Sequence, residues 1–188
     1  MTQSVRPAAV AGTFYPEPAM LLAREVGGML AAASPQATAA RPKAVIVPHA
    51  GYVYSGPIAA SIYAPLGALR GTVSRVVLLG PTHRVAITGL ALPGCRAFAT
   101  PLGMVPVDQH AVAAIADLPQ VVVSAAAHAQ EHALEVQLPF LQTVLGDFSL
   151  LPLAVGDATP QAVAQVLERL WGGDETLIVV SSDLSHYL

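Results

Sequence analysis

The sequence predicts one α/β domain of three layers, with helices on both faces of a central, mostly parallel or mixed sheet. Three observations predict it. Four short apolar runs, at 43–48 (KAVIVP), 75–80 (RVVLLG), 150–155 (LLPLAV) and 176–181 (TLIVVS), are nearly continuous rather than alternating. That pattern suits strands buried on both faces of a parallel sheet. Helix-compatible segments lie between the runs, as βα units require. Finally, 54% of the 188 residues are hydrophobic and only 11% charged, which excludes a disordered chain and suits one well-buried domain.

Taken in chain order, the spacing predicts a helix over 20–33, followed by an Ala-rich polar connection over 31–41. The strand at 43–48 precedes a helix over 58–66, with Pro57 in its first turn, where a missing N–H is harmless. After the strand at 75–80, the stretch 87–107 carries Pro93, Gly94, Pro101 and Gly103 and reads as one or two antiparallel or edge strands. Helices are expected over 108–116 and over 131–145, the second kinked or divided at Pro139. The strand at 150–155, a helix over 160–171 that starts on Pro160, and the strand at 176–181 complete the order. No internal repeat is present.

Charge and cysteine usage narrow the partners. Net charge is -3, and the nine cations, eight Arg and Lys43, form no run, so neither nucleic acid nor an anionic membrane is expected. Cys95 is the single cysteine, which rules out an intrachain disulfide or a Cys-rich zinc site and fits a reducing compartment. The N-terminus breaks early at Pro7, Gly12 and Pro16 and lacks a signal-peptide pattern. The uncharged stretch 44–69 is interrupted by Pro48, His49, Gly51, Gly56, Pro57 and Pro65, so no membrane span is expected and the localisation expected is cytoplasmic.

Ligands of open α/β sheets gather at the carboxyl ends of the strands. Three of those ends carry histidine: VIVPHAGYVYSGP with His49, VVLLGPTHR with His83, and LIVVSSDLSHYL with Asp183 and His186. One such histidine is an ordinary loop residue. Three at one rim of the sheet favour a metal held by two of them, because neutral imidazole is the commonest ligand for transition metals. A fourth segment, HAQEHALEVQLPF, contains Glu131, His132 and Glu135. On a helix Glu131 would face Glu135 and His132 would neighbour Glu135, an arrangement equally suited to a plain amphipathic surface helix. It is not an HExxH zinc motif. The chain also lacks GxxxxGK[ST], GxGxxG and GxSxG patterns, and Cys95 is given no role.

The segments RPAAVAGTFYP at 6–16, PHAGYVYSGP at 48–57, LLGPTH at 78–83, EHALEVQLPFL at 131–141 and SSDLSHY at 181–187 together resemble the Memo family. Bacterial and archaeal members of that family are labelled AmmeMemoRadiSam system protein B. The family is similar in fold to the class III, LigB-type extradiol dioxygenases, which use non-haem iron. The resemblance implies His49 and His83 as metal ligands and His186 as an acid–base group, with Asp183 and His132 at further pocket positions. Tyr52 and Tyr54 would shape the pocket or donate hydrogen bonds. Asp183 would orient His186 or a ligand imidazole, as neighbouring carboxylates do.

Fe(II) is the metal the resemblance implies first, with copper or zinc as alternatives. The family takes its third ligand, a cysteine or a carboxylate, from a segment beyond SSDLSH. The chain ends at Leu188, so the expectation is a single domain, 1–188, that lacks its C-terminal segment and that ligand. Two functions follow as alternatives: a redox-metal oxygenase, or a non-catalytic protein that binds copper or iron, a peptide or a small molecule. Metal-assisted hydrolysis on zinc is a weaker third. The family label also implies a genomic association with radical-SAM and AMMECR-type proteins.

Overall fold

The structure, a computed structural model, describes residues 4–33 and 41–184. Its elements are β1 (Val5–Arg6), α1 (Ala19–Ala32), β2 (Ala44–Val47), α2 (Tyr52–Tyr63), β3 (Arg75–Pro81), β4 (Leu90–Leu92), β5 (Ala97–Thr100) and β6 (Gly103–Pro106). They continue with α3 (Gln109–Ile115), β7 (Val121–Val123), α4 (Ala125–Ala129), α5 (Leu138–Leu145), β8 (Ser149–Val155), α6 (Pro160–Leu170) and β9 (Thr176–Ser181). Two 3-10 segments, Ala64–Leu69 and Glu135–Gln137, follow α2 and precede α5.

The main sheet has six strands in the order β2-β9-β3-β8-β4-β7. Its first four strands are mutually parallel, and β4 runs antiparallel to β8 but parallel to β7. Alternate residues of each strand feed opposite faces. Val76 and Leu78 of β3 join Leu177 and Val179 of β9 under Leu22, Ala60, Tyr63 and Phe140 of α1, α2 and α5. Val77, Leu79, Leu151, Leu153 and Ile178 pack on the other face against Ala111 and Ile115 of α3 and Val166 and Leu170 of α6. The domain is therefore the expected three-layer α/β structure with a mixed sheet. A smaller sheet, β1-β5-β6, sits beside it.

Several boundaries differ from expectation. The stretch 87–107 contains three strands, of which β4 joins the main sheet while β5 and β6 form an antiparallel hairpin. Helix α2 begins six residues early, at Tyr52, so Pro57 lies inside it. The Gly56 before it packs closely on α1: a Cβ there would stand 2.5 Å from Met29 Sδ, and that side chain would have to shift. Most consequential is the segment 131–145. Residues 131–134 are irregular, and α5 begins only at Leu138, with Pro139 in its first turn. Pro139 thus starts a helix and neither kinks nor divides one. Most of the Ala-rich connection, 34–40, lies outside the described residues.

Candidate metal centre

Strand order places the chemistry. β2, β9 and β3 are adjacent and parallel, so their carboxyl ends lie side by side, about 5 Å from strand to strand. His49 follows β2 by two residues, Ser181 ends β9, and His83 follows β3 by two residues. The irregular segment 131–134 lies against the end of β3, where Gly80 provides room. A Cβ on Gly80 would meet Leu134 Cδ2 at 2.9 Å and Ala133 Cβ at 3.3 Å.

Three imidazoles meet here. One ring nitrogen from each of His49, His83 and His132 lies within 4.8 Å of the others. The His83 and His132 rings stack at 4.5 Å, and His49 stands edge-on to both, at 5.3 and 5.6 Å. Phe14 closes on His132 from the N-terminal segment, with 4.6 Å between ring centroids.

The hydrogen bonds determine which nitrogen of His49 is free. Ser181 Oγ donates its one proton to the Ala133 carbonyl at 2.6 Å, an acceptor that can take nothing else from it. Ser181 therefore accepts from Gln137 Nε2 at 2.8 Å and from His49 Nδ1 at 3.0 Å. The Gln137 amide is itself oriented, since its Nε2 also donates to the Pro48 carbonyl and its Oε1 accepts from Tyr63. His49 is thus protonated at Nδ1 and keeps its lone pair on Nε2. His83 Nδ1 lies 2.9 Å from Glu131 Oε1, so this ring too is the Nδ1–H form.

Burial pushes the His49 pKa down, opposed by Asp183, with His83 lowering it again. Burial likewise lowers His132, opposed by Glu131. Both rings are neutral near pH 7, the form that binds metals. Burial alone would raise the Glu131 carboxyl, but N–H donors from Ala133 and His83 hold it below the usual carboxylate range. The Nε2 lone pairs of His49 and His83, beside the His132 ring and backed by a carboxylate, fit a first-row divalent ion.

The other site residues fall as follows. Asp183 Oδ1 accepts the His49 backbone N–H at 2.7 Å, and its Oδ2 is 3.7 Å from His49 Nε2. His186 lies outside the described residues. Tyr52 is a core residue here and not part of an open cleft wall: it packs on Tyr15 and Phe140, and its hydroxyl donates to the Val136 carbonyl. Tyr54 is 83% exposed on the outer face of α2. Because α2 starts at Tyr52, positions 52 and 54 point to opposite sides of a helix. Glu131 and Glu135 do not face one another. Glu135 turns toward the N-terminal segment, where it meets Arg6, Tyr15 and the backbone N–H groups of Ala9 and Val10.

Sequence reasoning missed Gln137 and the anchoring role of Glu131. A polar residue inside the apolar run LEVQLPFL was the available signal for Gln137, which is 1% exposed.

A family model described as Memo-like protein matches residues 6–188. The chain belongs to the Memo family. A MEMO1 family protein of Ignicoccus hospitalis is 39% identical over 200 residues, covering 97% of this chain and 69% of the relative. One from Aquifex aeolicus is 39% identical over 193 residues, covering 98% and 68%. One from Thermotoga neapolitana is 35% identical over 201 residues, covering 97% and 71%. The five segments that carry the Memo resemblance converge in space: 6–16 supplies Arg6 and Phe14, 48–57 His49, 78–83 His83, 131–141 Glu131 and His132, and 181–187 Ser181 and Asp183. Among the described residues, no helix of this Memo protein is long and apolar enough to cross a membrane.

Proposed function

We propose that this Memo-family protein binds a divalent first-row metal ion on His49, His83 and His132, with Fe(II) as the working ion in a redox-metal oxygenase of LigB-like type. The convergence of three imidazoles on one point carries the reading. Held by these three imidazoles, Fe(II) would supply the redox chemistry that brings a chelating substrate and O₂ together. The chain's own residues would hold that ion and set its surroundings: Ser181 and Glu131 fix the imidazoles, Asp183 steadies the loop carrying His49, and burial of His49 limits water. His186 is assigned the proton transfer on the Memo and LigB resemblance, its ordinary pKa lying near 6.5. The ligand set differs from the one the resemblance implied, since His132 offers a third donor from within the chain.

The test is metal analysis of anaerobically prepared protein, followed by O₂ uptake with a catechol. Stoichiometric iron, lost in the His49→Ala, His83→Ala double variant, supports metal binding. Iron retained by that variant sinks it. Bound metal without O₂ consumption on chelating substrates favours the non-catalytic reading, in which the same residues carry copper or iron. Zinc in place of a redox ion points to hydrolysis.

A further inference from the structure

We infer that Glu131 is the positioning residue of the metal centre, one buried carboxylate that orients His83 and contacts His132. The inference rests on the metal-binding reading above. Glu131 is 2% exposed, and both of its oxygens are occupied. Oε2 accepts the backbone N–H of His83 at 2.6 Å. Oε1 accepts His83 Nδ1 at 2.9 Å and the Ala133 N–H at 2.9 Å. His132 Nδ1 stands 3.3 Å from the same Oε1.

This arrangement resolves an orientational problem. The His83 side chain is 35% exposed, on the loop after β3, and its ring contacts with His132 and His49 limit rotation without selecting a tautomer. A carboxylate only accepts, so it selects the Nδ1–H form and leaves Nε2 for the ion. Holding the ring and the backbone of the same residue fixes both ends of that side chain. The acid is itself anchored from behind, because Arg6 donates Nη2 to the Glu131 carbonyl at 2.7 Å and Nε to the His128 carbonyl at 2.7 Å. Tight binding therefore depends on a residue that need not touch the ion.

Two measurements test this. In the metal-free protein, long-range ¹H–¹⁵N spectra of the imidazoles read the tautomer directly. His83 is expected as a single Nδ1–H species, and a dominant Nε2–H species overturns the inference without any variant. The second measurement is titration with Co(II), followed through its visible bands. Glu131→Gln replaces one of two acceptor oxygens with an NH₂ that must face a donor. It is expected to bind Co(II) about 10- to 100-fold more weakly, with altered bands. Binding within twofold of the unmodified protein, with the same bands, overturns the inference. If the unmodified protein binds no Co(II) while the Nδ1–H tautomer is observed, the metal reading falls and the metal-positioning role falls with it. The metal-free spectra then separate that failure from a failure of the Glu131 contact itself.

Discussion

His49 Nδ1 donates to Ser181 Oγ across 3.0 Å, and this bond joins a metal-ligand candidate to a core hydrogen-bond chain through Gln137 to Tyr63. Ser181→Ala removes the acceptor for His49 and Gln137 and the donor for Ala133 in a site that is 1% exposed. Unpaired buried groups cost about 1–3 kcal/mol each, partly relieved by rearrangement, so a loss of about 2–4 kcal/mol is expected in urea unfolding. A loss below about 0.5 kcal/mol would show that the chain is not structurally coupled.

Arg6 to Glu135 is the tether of the N-terminal segment. Both side chains are almost wholly buried, with Nη1 and Oε2 2.5 Å apart, and Glu135 also accepts from Tyr15 and the Ala9 and Val10 N–H groups. Removing one member of a buried pair strands the other, at a cost of about 3–5 kcal/mol. Arg6→Met should destabilise by that amount and expose residues 5–15 to proteolysis, which limited digestion followed by mass spectrometry would detect. An unchanged digestion pattern would contradict the tether.

Strands β3, β8 and β9 were legible because burial on both faces leaves a run such as VVLL or LIVV, whereas β2 gives a similar run at the sheet edge, with Ile46 53% exposed. Their order then dictates that the loops after β2, β3 and β9 share a rim, so the neighbourhood of His49 and His83 follows from sequence plus topology. The turn that delivers His132 was not legible. Its residues, EHALEVQL, satisfy helix spacing, yet the Glu131 carboxylate captures the His83 and Ala133 N–H groups and the segment folds around it. Partners 48 positions away in the chain leave no local trace. The burial of Tyr52 was not legible for a related reason, since proximity to His49 in sequence says nothing about a helix that begins at Tyr52 and turns its ring into the core.

His128 should make the fold sensitive to mild acid. Its ring is buried, Nε2 bonds the Ala91 carbonyl, and Nδ1 has no hydrogen-bond partner among the described residues. Burial lowers its pKa to about 4, the Ala91 bond opposing this, Arg6 adding to it and Glu131 opposing it. The unfolded chain, near 6.5, binds the proton more readily than the folded one between those values. The contribution is therefore complete above pH 6.5 and is lost as pH falls through about 4, amounting to about 3 kcal/mol. His128→Phe should flatten that part of the stability profile measured by urea midpoints from pH 4 to 7. A slope identical to the unmodified protein's would rule His128 out as its source.

Gly80 tests whether the site depends on backbone contact as well as on ligands. An added Cβ would meet Leu134 Cδ2 at 2.9 Å, Ala133 Cβ at 3.3 Å and Ser181 Cβ at 3.3 Å, all on the two elements that hold the imidazoles in place. Leu134 is 1% exposed and Ala133 belongs to the turn, so neither neighbour can withdraw freely. Gly80→Ala is therefore expected to cost about 1–3 kcal/mol by overpacking. The strain should be relieved in the less regular partner, moving 131–134 away from β3 and β9. His132 would then retreat from His49 and His83, and Ser181 would lose its Ala133 acceptor. Metal affinity should fall at least tenfold while far-ultraviolet circular dichroism stays unchanged. Stability lost with affinity intact would mean that the β3 end yields instead, and that the histidine cluster tolerates displacement of its supporting turn.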